Sequence, residues 1–226
     1  MQCKHCAFNN AREHRDGVWV HPVPNRDGPN YWTDYERCGF QEIAGDRKGD
    51  WIQTWTGRQF FALDPRPDDF HILDIAAGLR NARYSSQSIG IETVAEHSVL
   101  MWQVAVARDY TSRLRRGALL HDMSEAYLVD VPRPIKRDLS NYTEIEDRIM
   151  RAAAGPLRFD FDWPVAPEVK ELDNAILNDE FAQNMAPPPA PWRQLAGGPL
   201  GVRIECWPPD VAMLRFLNAA AIEGLI

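Results

Sequence analysis

An all-α fold is predicted for most of this chain, and three observations predict it. Apolar residues recur at helical three- and four-residue spacings through several separate segments. Prolines and short polar capping residues punctuate those segments. Alternating apolar and polar residues, the mark of strands, are confined to a stretch after Trp51. With 226 residues, 45% of them apolar, the chain is long enough to bury one full core, so one main domain is expected over residues 51–226. Residues 1–50 read as an irregular extension with some β character. They hold Cys3, Cys6 and Cys38, the histidines His5, His14 and His21, and the turn formers Pro22, Pro24, Gly28 and Pro29, without sustained periodicity.

From Trp51, WIQTWTGRQFFALD alternates well enough for two short strands around Thr56 and Gly57. Asp68 or Asp69 is placed to cap a helix through Ile72, Ile75, Ala76 and Leu79. Glu92 to Ala107 reads as a helix whose apolar face carries Val94, Met101, Val104 and Ala105, with His97 on that face. A single helix is then predicted from about Arg113 to Leu128, ended by Pro132 and Pro134. Further helices are expected over Asn141 to Ala154, from Pro167 through Phe181, and from Pro208 through Ala221, with a proline-rich linker at Ala186 to Pro191.

The net charge of −7 and pI near 5.4 argue against a nucleic-acid coat or a protein of anionic membranes, since both depend on accumulated positive charge. No stretch approaches the roughly 20 apolar residues that span a bilayer, and Met1 leads into a polar segment, so a cytoplasmic location with no membrane partner is expected. Four cysteines, unevenly spaced, suit reduced thiols or a metal site better than a disulfide framework.

The chemistry-bearing residues centre on the adjacent pair His121 and Asp122 in ALLHDMSEAYLVDVPRPIK. Glu125 lies one turn further, so a cluster around a single turn is geometrically reachable. On the helix from Pro167, Asp173 and Glu180 share a face with Val169, Ile176 and Leu177. A carboxylate in such a stripe needs a cation, a metal or a hydrogen-bonding network. Imidazole with carboxylate suits a divalent transition metal such as Mn, Co, Zn or Fe, with Mg as a further candidate. The plain alternatives are a hydrogen-bonded core histidine at His97 and a salt-bridged surface residue at Asp173.

The segments AEHS, LLHDMSEAYLVDVPRPIK and VKELDNAILNDE resemble the HD-domain phosphohydrolases, and among them the bacterial 5′-deoxynucleotidases and related bacteriophage enzymes acting on deoxynucleotides such as dATP. The likeness runs from Trp51 to about Leu217. It implies an all-helical HD-domain bundle in a metal-dependent hydrolase with His97, His121, Asp122 and Asp173 as metal ligands. It also implies a catalytic carboxylate at Glu125 and a second acid at Asp130. Arg83 and Tyr84 match an arginine–aromatic pair that meets phosphate and nucleotide, with an ordinary buried ring as the alternative for Tyr84. Arg133 and Lys136 are further candidates for phosphate, against a solvated basic loop. The expected partner is a small-molecule deoxynucleotide, mono- or triphosphate, bound by a homo-oligomer. A rival assignment is a catalytically silent module that senses nucleotides or recruits a partner.

Cys3 and Cys6 have the spacing of a zinc knuckle, and Cys38-Gly39 resembles half of a zinc ribbon whose second cysteine is missing. A structural zinc there would need a histidine to complete it. Free thiols in a loosely packed extension are the competing expectation.

Overall fold

The computed structural model describes residues 47–159, 166–192 and 197–226, together with the backbone of short strands at residues 2–3, 13–15, 18–23, 34–37 and 40–41. The chain is mostly helical and divides into two compact units, Met1–Asp64 and Pro65–Ile226. All the paired strands belong to the first unit. Strand β1 (Gln2–Cys3) pairs antiparallel with β5 (Phe40–Gln41). β2 (Glu13–Arg15), β3 (Val18–Val23) and β4 (Asp34–Arg37) form a meander that sets His14 opposite Trp19 and His21 opposite Glu36. The hairpin expected around Thr56 and Gly57 is present as β6 (Ile52–Gln53) and β7 (Gln59–Phe60). Its turn needs Gly57, whose φ of +82° an L side chain rarely adopts. The Thr54 hydroxyl closes it by accepting the Arg58 amide at 3.1 Å.

The second unit is built from eight α-helices among its described residues. They are α1 (Ile72–Gly78), α2 (Val94–Ala107), α3 (Ser112–Leu120), α4 (Glu125–Leu128), α5 (Arg133–Lys136), α6 (Tyr142–Ala154), α7 (Pro167–Asn184) and α8 (Pro209–Ile222). Helix α2 lies against α3, α7 and α8, while α1 lies against α4 and α8. Ile75, Leu79, Met101, Leu119, Leu120, Ile149, Leu172, Ile176 and Phe216 are among the fully buried side chains of this core. None of the described helices is long and apolar enough to cross a membrane.

The helix starts follow elementary capping chemistry. The Thr93 hydroxyl accepts the Glu96 amide at 3.1 Å and so starts α2 four residues before His97. Pro167 and Pro209 occupy first helical positions, where no amide donor is needed. The Glu96 carboxylate then accepts the Glu205 and Trp207 amides at 2.9 and 2.6 Å and fixes the segment leading into α8.

Three expectations are corrected, the first being the cap of α1, which is His71 rather than Asp68 or Asp69. Arg113 to Leu128 is not one helix, because α3 stops at Leu120 and α4 starts at Glu125. Between them the amides of Met123, Glu125 and Ala126 bond three residues back, to Leu120, Asp122 and Met123, a tighter turn than an α-helix makes. At this break the Nε2 of His121 lies 3.0 Å from Asp122 Oδ2. The prolines after it do not only terminate structure either. Pro132 is the N-cap and Pro134 the second residue of α5, positions where proline costs no hydrogen bond, so Arg133 and Lys136 stand on a short helix instead of a basic loop.

Gly78 fixes where α4 sits. A Cβ there would come 2.4 Å from the Ala126 carbonyl oxygen and 2.7 Å from the Ala126 Cα, so α1 and α4 approach each other as closely as backbones allow. Gly78→Ala should therefore destabilise the protein by about 1–3 kcal/mol, the usual range for overpacking. It should also lower turnover by displacing Glu125. Urea unfolding with no shift in midpoint would contradict that packing.

Candidate metal centre

Four side chains from three parts of the helical unit converge. His97 is fully buried in α2, His121 caps the C-terminus of α3, Asp122 follows it, and Asp173 lies buried on α7. His97 Nε2 is 3.2 Å from His121 Nε2, 3.8 Å from Asp122 Oδ2 and 3.7 Å from Asp173 Oδ1. His121 Nε2 is 3.0 Å from Asp122 Oδ2 and 4.0 Å from Asp173 Oδ1. With metal–ligand bonds of about 2.1 Å, neighbouring donors stand about 3.0 Å apart in an octahedron and about 3.4 Å apart in a tetrahedron. His97, His121 and Asp122 stand close enough together to share one divalent cation, with Asp173 beside both imidazoles.

The hydrogen bonds behind the rings reinforce the fit. His97 Nδ1–H donates to Glu180 Oε1 at 2.5 Å, and His121 Nδ1–H donates to the Ala118 carbonyl at 2.9 Å. Each imidazole spends its proton on the far side, which leaves two Nε2 lone pairs facing each other in a buried space. Such an arrangement needs a cation, either a proton or a metal ion. Burial, and then the nearby Arg83 charge, lower the His97 pKa and keep that ring neutral. Burial opposes charge on His121 too, but Asp122 outweighs it and raises the pKa. Burial also opposes the charges on Asp122 and Asp173, yet the adjacent His121 holds both below the usual carboxylate range.

Glu180 is the functional residue whose part the sequence did not disclose. It is fully buried, and besides the His97 proton it accepts the Tyr84 hydroxyl and, at 3.4 Å, the Arg83 Nη2. Burial would raise its pKa, but Arg83 and His97 hold it well below the ordinary range, so the carboxylate stays charged. Glu180→Gln removes the charge that fixes the His97 tautomer. It should weaken metal binding by roughly 10- to 100-fold, the usual cost of losing such a partner. Competition with a chelator measures this, and unchanged affinity would show that Glu180 only fills space.

Arg83, expected to meet phosphate, is buried between two carboxylates, with Nη1 3.5 Å from Asp122 Oδ2 and Nη2 on Glu180. Burial works against its charge, but Glu180 and the other acids around it raise the pKa well above the usual value. Tyr84 lies over that guanidinium, and burial foremost pushes its phenol pKa far up. Tyr84, Ser85 and Ser86 have φ of 54°, 52° and 61°, three consecutive non-glycine residues in the left-handed region, each at a cost of about 1–2 kcal/mol. Asp130 supports the first of them by accepting the Tyr84 amide at 2.7 Å.

Glu125 opens α4, with its backbone carbonyl held by Asn81 Nδ2 at 2.9 Å. Its Oε2 is buried with no hydrogen-bond partner among the described residues. Burial first, then the charges of Asp122 and Asp130, raise its pKa well above the usual range, which suits a carboxyl that carries a proton. Arg133 Nη2 meets Asp173 Oδ2 at 3.1 Å, whereas Lys136 turns to Glu146 at 2.7 Å and to the Tyr142 ring. The side chains of Cys3, Cys6 and Cys38, named as zinc ligands from their spacing, lie outside the described residues.

No family model matches the chain. Over 99 residues, 43% of this chain and 53% of the relative, it is 36% identical to the uncharacterized protein YfdR of Escherichia coli. Over 143 residues, 59% of this chain and 72% of the relative, it is 39% identical to the uncharacterized protein RCAP_rcc00048 of Rhodobacter capsulatus. The match thus spans about half the length of YfdR. The chain belongs to the family of the Rhodobacter capsulatus protein.

Proposed function

We propose that this protein is a divalent-metal-dependent phosphohydrolase of the HD-domain type, acting on deoxynucleotides. The observation that carries the proposal is the convergence of His97 Nε2, His121 Nε2 and Asp122 Oδ2 within 3.0–3.8 Å, with Asp173 Oδ1 3.7 and 4.0 Å from the two imidazoles and both imidazole Nδ1–H groups already committed elsewhere. The likeness of AEHS, LLHDMSEAYLVDVPRPIK and VKELDNAILNDE to deoxynucleotide hydrolases supports the substrate class.

A bound divalent cation supplies Lewis acidity toward a phosphoryl oxygen and lowers the pKa of water. The protein's own groups have separable tasks. His97, His121, Asp122 and Asp173 hold the ion, and Glu180 keeps His97 in the ligating tautomer. Glu125, buried beside Asp122, holds a proton and passes it to the leaving oxygen as general acid. Arg83 keeps Asp122 and Glu180 ionised, and with Asp130 it fixes the left-handed turn that presents Tyr84. Positive side chains at the rim stabilise the transferred phosphoryl group.

The test is to load the purified protein with Mn, Co, Zn, Fe or Mg and incubate it with each dNMP and dNTP, resolving phosphate from tripolyphosphate. Metal-dependent release of either product with free deoxynucleoside is expected. A protein that takes up metal yet hydrolyses none of these substrates would overturn the proposal.

A further inference from the structure

The two oxygens of Asp173 face different surroundings. Oδ1 points to the imidazoles of the metal centre, while Oδ2 accepts both Arg133 Nη2 at 3.1 Å and Lys170 Nζ at 2.5 Å. The Asp173 side chain is buried, but those of Arg133 and Lys170 remain 37% and 52% exposed, so both cations stand at the mouth of the site. A bound divalent ion would match Asp122 and Asp173, while Arg83 is bound to Asp122 and Glu180, and Lys136 is paired with Glu146. With the ion bound, Arg133 and Lys170 would have only the one shared Asp173 oxygen between them, and an anion of several charges would complete their partners.

Helix α7 sets the direction. At about 1.5 Å per residue, Lys170 lies about 4.5 Å before Asp173 along the axis, and Phe181 about 12 Å beyond it. At that far end Trp192 packs on Phe181 with ring centroids 5.1 Å apart and on Tyr84 at 6.1 Å, and it is still 37% exposed. Aromatic surface suited to a base and cationic surface suited to phosphate thus lie on opposite sides of Asp173 along α7.

We propose that Arg133 and Lys170 bind the outer phosphates of a deoxynucleoside triphosphate, whose sugar and base extend toward Tyr84 and Trp192. This rests on the phosphohydrolase assignment and makes the triphosphate the preferred substrate over the monophosphate. In the reaction, the oxygen of water bonds to the α-phosphorus and the bond from that phosphorus to O5′ breaks. Glu125 gives its proton to O5′ and is reprotonated by the proton that water releases. The products are a deoxynucleoside and tripolyphosphate. A monophosphate cleaved at the same bond leaves nothing for Arg133 and Lys170 to hold.

The experiment compares dATP with dAMP on wild-type, Arg133→Ala and Lys170→Ala proteins loaded with manganese, and titrates inorganic tripolyphosphate and orthophosphate into each by calorimetry. Losing one charge-assisted contact should lower kcat/KM for dATP relative to dAMP by roughly tenfold in each variant. It should also weaken tripolyphosphate binding by a similar factor with metal content retained. Equal losses on both substrates, loss of the metal, or unchanged tripolyphosphate affinity would overturn the inference, as would a wild-type protein that prefers dAMP. Hydrolysis of neither nucleotide by the metal-loaded wild type would instead remove the phosphohydrolase assignment.

Discussion

Asp122→Ala is expected to abolish hydrolysis while the helices remain. Asp122 Oδ2 stands 3.0 Å from His121 Nε2, 3.8 Å from His97 Nε2 and 3.5 Å from Arg83 Nη1, so its loss removes one donor and leaves a buried arginine without one of its two carboxylates. The core of α1, α2, α3, α7 and α8 does not pass through this side chain, and the far-ultraviolet circular dichroism should be retained. Turnover on each dNMP and dNTP at saturating manganese checks the expectation. Activity near the wild-type level would show that Asp122 serves only as a salt-bridge partner of Arg83.

Glu125→Gln carries the second large effect. The amide keeps the shape of the buried side chain but cannot deliver a proton. Turnover should fall by roughly a hundredfold or more, the size usual for an acid–base group, while metal content and nucleotide affinity stay near those of the wild type. If Glu125 only anchors α4, the melting temperature falls and turnover per folded molecule does not. Measuring both on one preparation separates the two roles, and normal turnover would exclude the catalytic one.

The parts of this site that could be read in the sequence are those set by local pattern. His97 sits in a helix whose periodicity is plain, and Asp173 stands in an apolar stripe begun by Pro167. The break at His121 and Asp122 could not be read, because neither proline nor glycine lies between Ala118 and Val131. After that break α4 packs closely on Gly78, some forty residues earlier in the chain. Glu180 was visible as a carboxylate two turns from Asp173 on the same face, but its partner His97 lies 83 residues away. The left-handed run at Tyr84, Ser85 and Ser86 contains no glycine to announce it, and Asp130 holds it from 46 residues further on. Lys170 reads as an ordinary lysine in a first helical turn until α5 brings Arg133 to the same oxygen. The mostly helical architecture follows from periodicity, whereas the one-turn helices α4 and α5 are too short to show it.

The central claim is that His97, His121, Asp122 and Asp173 hold one metal ion, and metal stoichiometry tests it most directly. The protein and its His97→Ala/Asp173→Ala double variant, both reconstituted with manganese and freed of excess ion, are to be compared by elemental analysis, which cancels any ion bound elsewhere in the chain. The wild type should hold one equivalent more per chain than the variant; equal metal content in two folded proteins would contradict the claim.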